Sequence, residues 1–172
     1  MNSEEKNKII FRMIVRVKTG LSFVEEYLAR QPKDSGPDTA YLRSIYIVFS
    51  FHFEILLKSR LVAMQSFRDK NDLDNKLKKV GHNIKVICAE LGDDELQKIN
   101  IKKISLVNGE YIIKTTDKTI NVKDFNDIRY DFIEGKIRSV KRDENLKITE
   151  SVEGAYDILN KILIENKKYI KI

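Results

Sequence analysis

Between Arg43 and Lys58 the chain reads Ser44-Ile-Tyr-Ile-Val-Phe-Ser-Phe-His-Phe-Glu-Ile-Leu-Leu57, apolar on nearly every side and interrupted mainly by His52 and Glu54. Fourteen residues that include a carboxylate are too few to cross a bilayer, which takes about 20 apolar residues of helix. A helix that is apolar nearly all round is enclosed by its neighbours. The stretch therefore predicts the central, buried helix of a bundle, running from about Asp38 or Thr39 to Phe67. Glu54 then needs a partner, because an unpaired buried carboxylate costs several kcal/mol or takes up a proton. Lys58, one turn on, is the local candidate.

On either side the same helical spacing recurs. From Asn7 to Arg30, Ile10, Met13, Ile14, Val17, Leu21, Val24 and Leu28 fall three and four apart, with Lys8, Arg12 and Arg16 on the opposite, solvated face. Gln31 to Asp38 holds both prolines of the chain, Pro32 and Pro37, with Gly36, and reads as a loop. Leu73, Leu77, Val80, Ile84, Ile87 and Leu91 continue the helical pattern, but Gly81 interrupts it. Glycine costs about 1 kcal/mol relative to alanine inside a helix, so a new helix is expected to start near His82 or Asn83. His82 would then cap backbone N–H groups or face another element. The last helix opens at Thr149 as N-cap and aligns Val152, Ala155, Tyr156, Leu159, Ile162 and Leu163.

From Ile104 the period becomes that of strands. Ile104–Val107 and Glu110–Lys114 flank Asn108-Gly109, the type I′ hairpin signal, and Thr119–Val122 offers a third strand. A lone hairpin is marginal in water, so this one must pack on the helices or on a partner chain. The expected fold is mainly α, an up-and-down four-to-five-helix bundle with an inserted β-hairpin at about 104–122. With no internal repeat and no long linker, residues 1–172 read as a single domain.

At 172 residues and +6 net charge, the chain is long enough for a sizeable core and mildly basic. One cysteine, Cys88, excludes an intrachain disulfide and a multi-cysteine zinc site. Met1 leads into Ser3-Glu4-Glu5-Lys6 rather than a signal peptide, so a cytoplasmic protein is expected. Seven glycines lie singly, without a phosphate-binding loop, a dinucleotide fingerprint or a hydrolase elbow. No metal site and no cofactor is expected. Asp93, Asp94 and Glu95 read as a helix-end charge run, and Cys88 as a buried structural thiol.

What remains is sparse: His52, Glu54 and Lys58 on the apolar helix, Gly81-His82-Asn83-Ile84 opening the next, and Ile128-Arg129-Tyr130-Asp131 before the last. These three motifs, in this order over roughly Thr39 to Tyr169, resemble the HEPN superfamily, small helical bundles of prokaryotic defence and toxin–antitoxin systems. The resemblance implies an RNA-related role, a homodimer, and a metal-independent ribonuclease. The arginine–histidine motif customary in catalytic members is absent here, since Arg43 and His52 lie nine helical steps apart on opposite faces. It equally implies a non-catalytic interaction module partnering a nucleotidyltransferase or another defence protein.

The constellation has two chemical roles open to it. As a structural polar core of His52, Glu54 and Lys58, it would have Arg129 neutralise Glu54 bidentately while His82 and the Tyr130 hydroxyl take the remaining lone pairs. As a catalytic set of His82, Arg129 and Tyr130, it would have His82 take the proton of a 2′-hydroxyl and Arg129 stabilise the phosphorane. Lys136, Arg138, Lys141 and Arg142 form the best basic patch and are the nucleic-acid-binding candidates. Together with Arg12 and Arg16 they would give binding that weakens steeply with salt.

Overall fold

The computed structural model describes residues 1–30, 39–130 and 143–167. α1 (Ser3–Ala29) starts four residues before Asn7, where the helical pattern was expected to open, because Asn2 and Glu5 form a reciprocal capping box, and it buries Ile10, Ile14, Val17, Leu21 and Val24. α2 (Thr39–Met64) carries the apolar run and is the hub, packing on α1, α4, α6 and α7 and reaching β3. Leu42, Phe49, Phe53, Leu56, Leu57 and Leu61 are fully buried along it.

The break expected at Gly81 is present, and a further short helix follows the second of the two helices it separates. α3 (Lys70–Val80) ends at Gly81, α4 (Ile84–Leu91) ends at Gly92, and α5 (Asp93–Lys98) follows. Both glycines have positive φ, +67° and +79°, with ψ values that side-chain-bearing residues avoid. Seven helices thus occur among the described residues, α5 and the short helix α6 (Phe125–Tyr130) being the two that the apolar spacing does not mark.

The strands are β1 (Lys103–Val107), β2 (Glu110–Lys114) and β3 (Thr119–Val122), in the order β1-β2-β3, all antiparallel. The turn residues Asn108 and Gly109 sit at φ 51° and 80°, as a type I′ turn requires. The sheet rests on α7 (Asp143–Asn166) through β3. The N–H groups of Thr119 and Asn121 donate to Glu150 and Ser151 of α7, at 3.1 and 2.9 Å. Tyr111, Ile113, Ile120 and Val122 form the buried face of the sheet and join the core of α2 and α7. No helix among the described residues is long and apolar enough to cross a membrane.

Candidate functional site

Glu54 faces the α4 side of α2 and is 2% exposed. The Lys58 ammonium donates to its Oε1 at 2.6 Å, the pairing that their one-turn spacing sets up. The second partner is His82. Its Nδ1 lies 3.0 and 3.1 Å from the two carboxylate oxygens. This contact depends on the break between α3 and α4. Gly81 turns the chain at positive φ, and Asn83 caps α4 by accepting from the Val86 N–H at 3.1 Å. His82 is thereby left between two helix ends with its ring aimed at α2. Its side chain remains 45% exposed, and Nε2 makes no hydrogen bond among the described residues.

Arg129 is not the partner of Glu54. The segment from Phe125 to Tyr130 is helical, and within that turn Ile128 is the residue directed into the core. Arg129 consequently lies outside. Its guanidinium stacks over Phe125, four residues back, at 5.7 Å and over Tyr130 at 5.4 Å. Tyr130 is exposed, and its hydroxyl takes no part in holding Glu54.

His82 and Arg129 still meet a common neighbour. The His82 ring lies 5.9 Å from that of Phe125, the ring that Arg129 covers. Phe51 of α2 packs on the same ring at 4.9 Å, and Arg16 of α1 lies 5.0 Å over Phe51. Neither Arg16 nor Arg129 has a carboxylate partner among the described residues. The surface therefore carries an imidazole and two guanidiniums around a pair of phenylalanines.

His52 stands apart. Two residues from Glu54, it points elsewhere: its ring donates to the Val48 carbonyl at 2.7 Å and fills the space over Gly20 of α1, where any Cβ would overlap it. Burial pulls its pKa below the ordinary histidine value, and the nearby Arg16 charge adds to this, against the opposing hydrogen bond to Val48. The polar core expected from sequence thus separates into Glu54–Lys58–His82 on one side of α2 and a solitary His52 on another.

Two buried carboxylates complete the electrostatics, and neither was marked by local sequence. Asp124 accepts from the Ile84 N–H at 2.7 Å and from the Tyr111 hydroxyl at 3.0 Å, joining α4 to β2 beside the His82 turn. Burial raises its pKa above the carboxylate norm, with Asp127 and Glu54 adding to the shift against these hydrogen bonds. The Tyr111 phenol is pushed up to about 12 by burial and then by Asp124. Glu95, read as part of a charge run, is instead buried against Arg60 at 2.5 Å, and Arg60 also donates to Asn166 at 3.0 Å. Burial alone would raise the Glu95 pKa, but Lys98 and Arg60 outweigh it and hold it low.

Cys88 is buried, and desolvation pushes its thiol up to about 12, so it packs rather than reacts. Among the described residues, no cluster of three histidine, cysteine or acidic side chains has metal-binding geometry. Lys136, Arg138, Lys141 and Arg142 lie outside the described residues. Compared with known protein families, curated proteins and solved structures, the chain matches none.

Proposed function

We propose that this chain is a HEPN-like helical bundle acting on RNA at the surface where His82 and Arg129 border Phe125, as a metal-independent ribonuclease. The observation that carries this reading is the Glu54–His82 contact. A buried carboxylate, fixed by Lys58, binds Nδ1 and leaves Nε2 at the surface. A proton on Nδ1 makes Nε2 the acceptor, the orientation a general base needs. In this role His82 takes the 2′-hydroxyl proton as that oxygen attacks the adjacent phosphorus and the bond to the 5′-oxygen breaks. The imidazolium then returns a proton to the leaving oxygen. Arg129 lies on the same aromatic ring, where its charge opposes that building on the phosphorane.

The test is cleavage of a single-stranded RNA in EDTA. Wild type should cleave, His82→Ala should lose about 10²–10⁴-fold, and Arg129→Ala about 10²–10³-fold, with both variants melting cooperatively. Absence of cleavage by wild type, or unchanged cleavage by folded His82→Ala, overturns the proposal.

A non-catalytic interaction module is favoured by a different observation. α1 leaves Phe11, Val15 and Phe23 exposed, Phe11 by 68%, an apolar series a partner protein would cover. Wild type inert towards RNA, with Phe11→Lys and Phe23→Lys abolishing capture of a defined partner, would establish that reading.

A further inference from the structure

The two edges of the sheet are treated differently. α7 covers the outer edge of β3 and supplies Glu150 and Ser151 to its N–H groups. β1 pairs with β2 alone among the described residues. Register places Ile104 opposite Ile113 and Leu106 opposite Tyr111, so both belong to the inner face whose β2 members are buried. Yet Leu106 is 57% exposed and Val107 45%, because the helices pack beneath β3 and leave β1 overhanging. The one guard of this edge is Lys103 at the start of the strand; Ile104 to Val107 carries no charge and no proline.

We infer that β1 is a self-association edge, pairing antiparallel with β1 of a second copy of this chain about Ser105. The strand is self-complementary in that register. Ile104 stands opposite Leu106 of the second copy and Leu106 opposite its Ile104, which continues the apolar inner face across the two-fold axis. Charge selects the same direction. The hairpin is basic at one end, with Lys102, Lys103 and Lys114, and carries Glu110 at the turn end, where it also meets Lys123 at 3.3 Å. Antiparallel pairing sets Lys103 against Val107 of the other copy, next to its Glu110, whereas parallel pairing about the same residue would stack Lys103 on Lys103. A two-fold contact of this kind closes on itself as a six-stranded sheet and leaves no further edge for growth. The inference is independent of the RNA chemistry.

The two-fold axis brings Ser105 opposite its own copy at about 4.5–5.5 Å between Cα atoms, within the range a disulfide spans. Under mild oxidation the full-length Ser105→Cys variant should become a covalent dimer. Lys103→Cys should not, and buried Cys88 gives no background. By sedimentation velocity over a range of concentrations, wild type should dimerise, folded Leu106→Lys should be monomeric, and Phe11→Lys on α1 should remain dimeric. Wild type monomeric at every concentration, no cross-linking of Ser105→Cys, or dimer loss in Phe11→Lys in place of Leu106→Lys overturns the inference. The last result would assign self-association to α1.

Discussion

Glu54 is held by two cationic or hydrogen-bonding partners in a setting with almost no water, so removing its carboxylate isolates the Lys58 ammonium beside apolar neighbours. Breaking a buried ion pair from one side costs about 3–5 kcal/mol, and Glu54→Ala should lose that much by urea denaturation. His82→Ala should lose far less, since Lys58 still neutralises Glu54 and water reaches the vacated half-exposed position. Equal losses in the two variants would contradict this division of roles. His52 gives a pH signature. Its folded pKa is depressed, whereas in the unfolded chain it takes a proton near about 6.5. Unfolding therefore takes up a proton between the two values, and stability is full above about 6.5 and falls as pH drops below it. Comparing urea midpoints at pH 7.5 and 5.5, His52→Gln should reduce the acid-side loss. An unaltered pH dependence would exclude His52 as a source.

At the scale of elements, the candidate site is built by a helix break. Gly81 adopts φ +67° and ψ −148°, a region essentially reserved for glycine that costs other residues about 1–3 kcal/mol. Gly81→Ala should therefore destabilise by that amount and weaken the His82–Glu54 contact, read as a change in the His82 imidazole NMR signals. A stable variant with unchanged signals would show that the turn does not set the ring. This break was legible in sequence, because a glycine in mid-pattern contradicts helix continuation. So were α2 and the Asn-Gly hairpin, each signalled by residues adjacent along the chain; the final helix was legible in its apolar face but not in its start, since α7 begins at Asp143 and Thr149, expected as its N-cap, lies within it. The course of Arg129 was not. A lone arginine invites pairing with the nearest buried carboxylate, but one turn of helix at α6 turns Ile128 inward and Arg129 outward. That choice is made by packing against α2, which local sequence does not encode.

Across the whole molecule, distant polar contacts lock the elements together. Arg60 is completely buried and links α2 to Glu95 of α5 and to Asn166 of α7, with Glu165 at 3.7 Å. Arg60→Ala would remove the buried cation that Glu95 and Glu165 share, leaving Lys98 on Glu95, and a loss of about 3–5 kcal/mol is expected in thermal or urea unfolding. A loss under 1 kcal/mol would show that these groups reach water when the arginine is gone. Arg60 and Asp124 escaped sequence reading for the same reason: partners of theirs, Asn166 and the Ile84 N–H, lie 106 and 40 residues away. The aromatic surface joining Arg16, Phe51, Phe125 and Arg129 is likewise assembled from α1, α2 and α6, none adjacent to all the others in sequence.

In the proposed function, Glu54 orients His82 to act on a phosphodiester beside Arg129. The most direct measurement is single-stranded RNA cleavage in EDTA by wild type and by His82→Ala, each first shown to unfold cooperatively. Cleavage by wild type with its 2′,3′-cyclic phosphate product, lost in the folded variant, is the predicted result. Wild-type protein that leaves RNA intact, or a folded His82→Ala that cleaves as well as wild type, would contradict it.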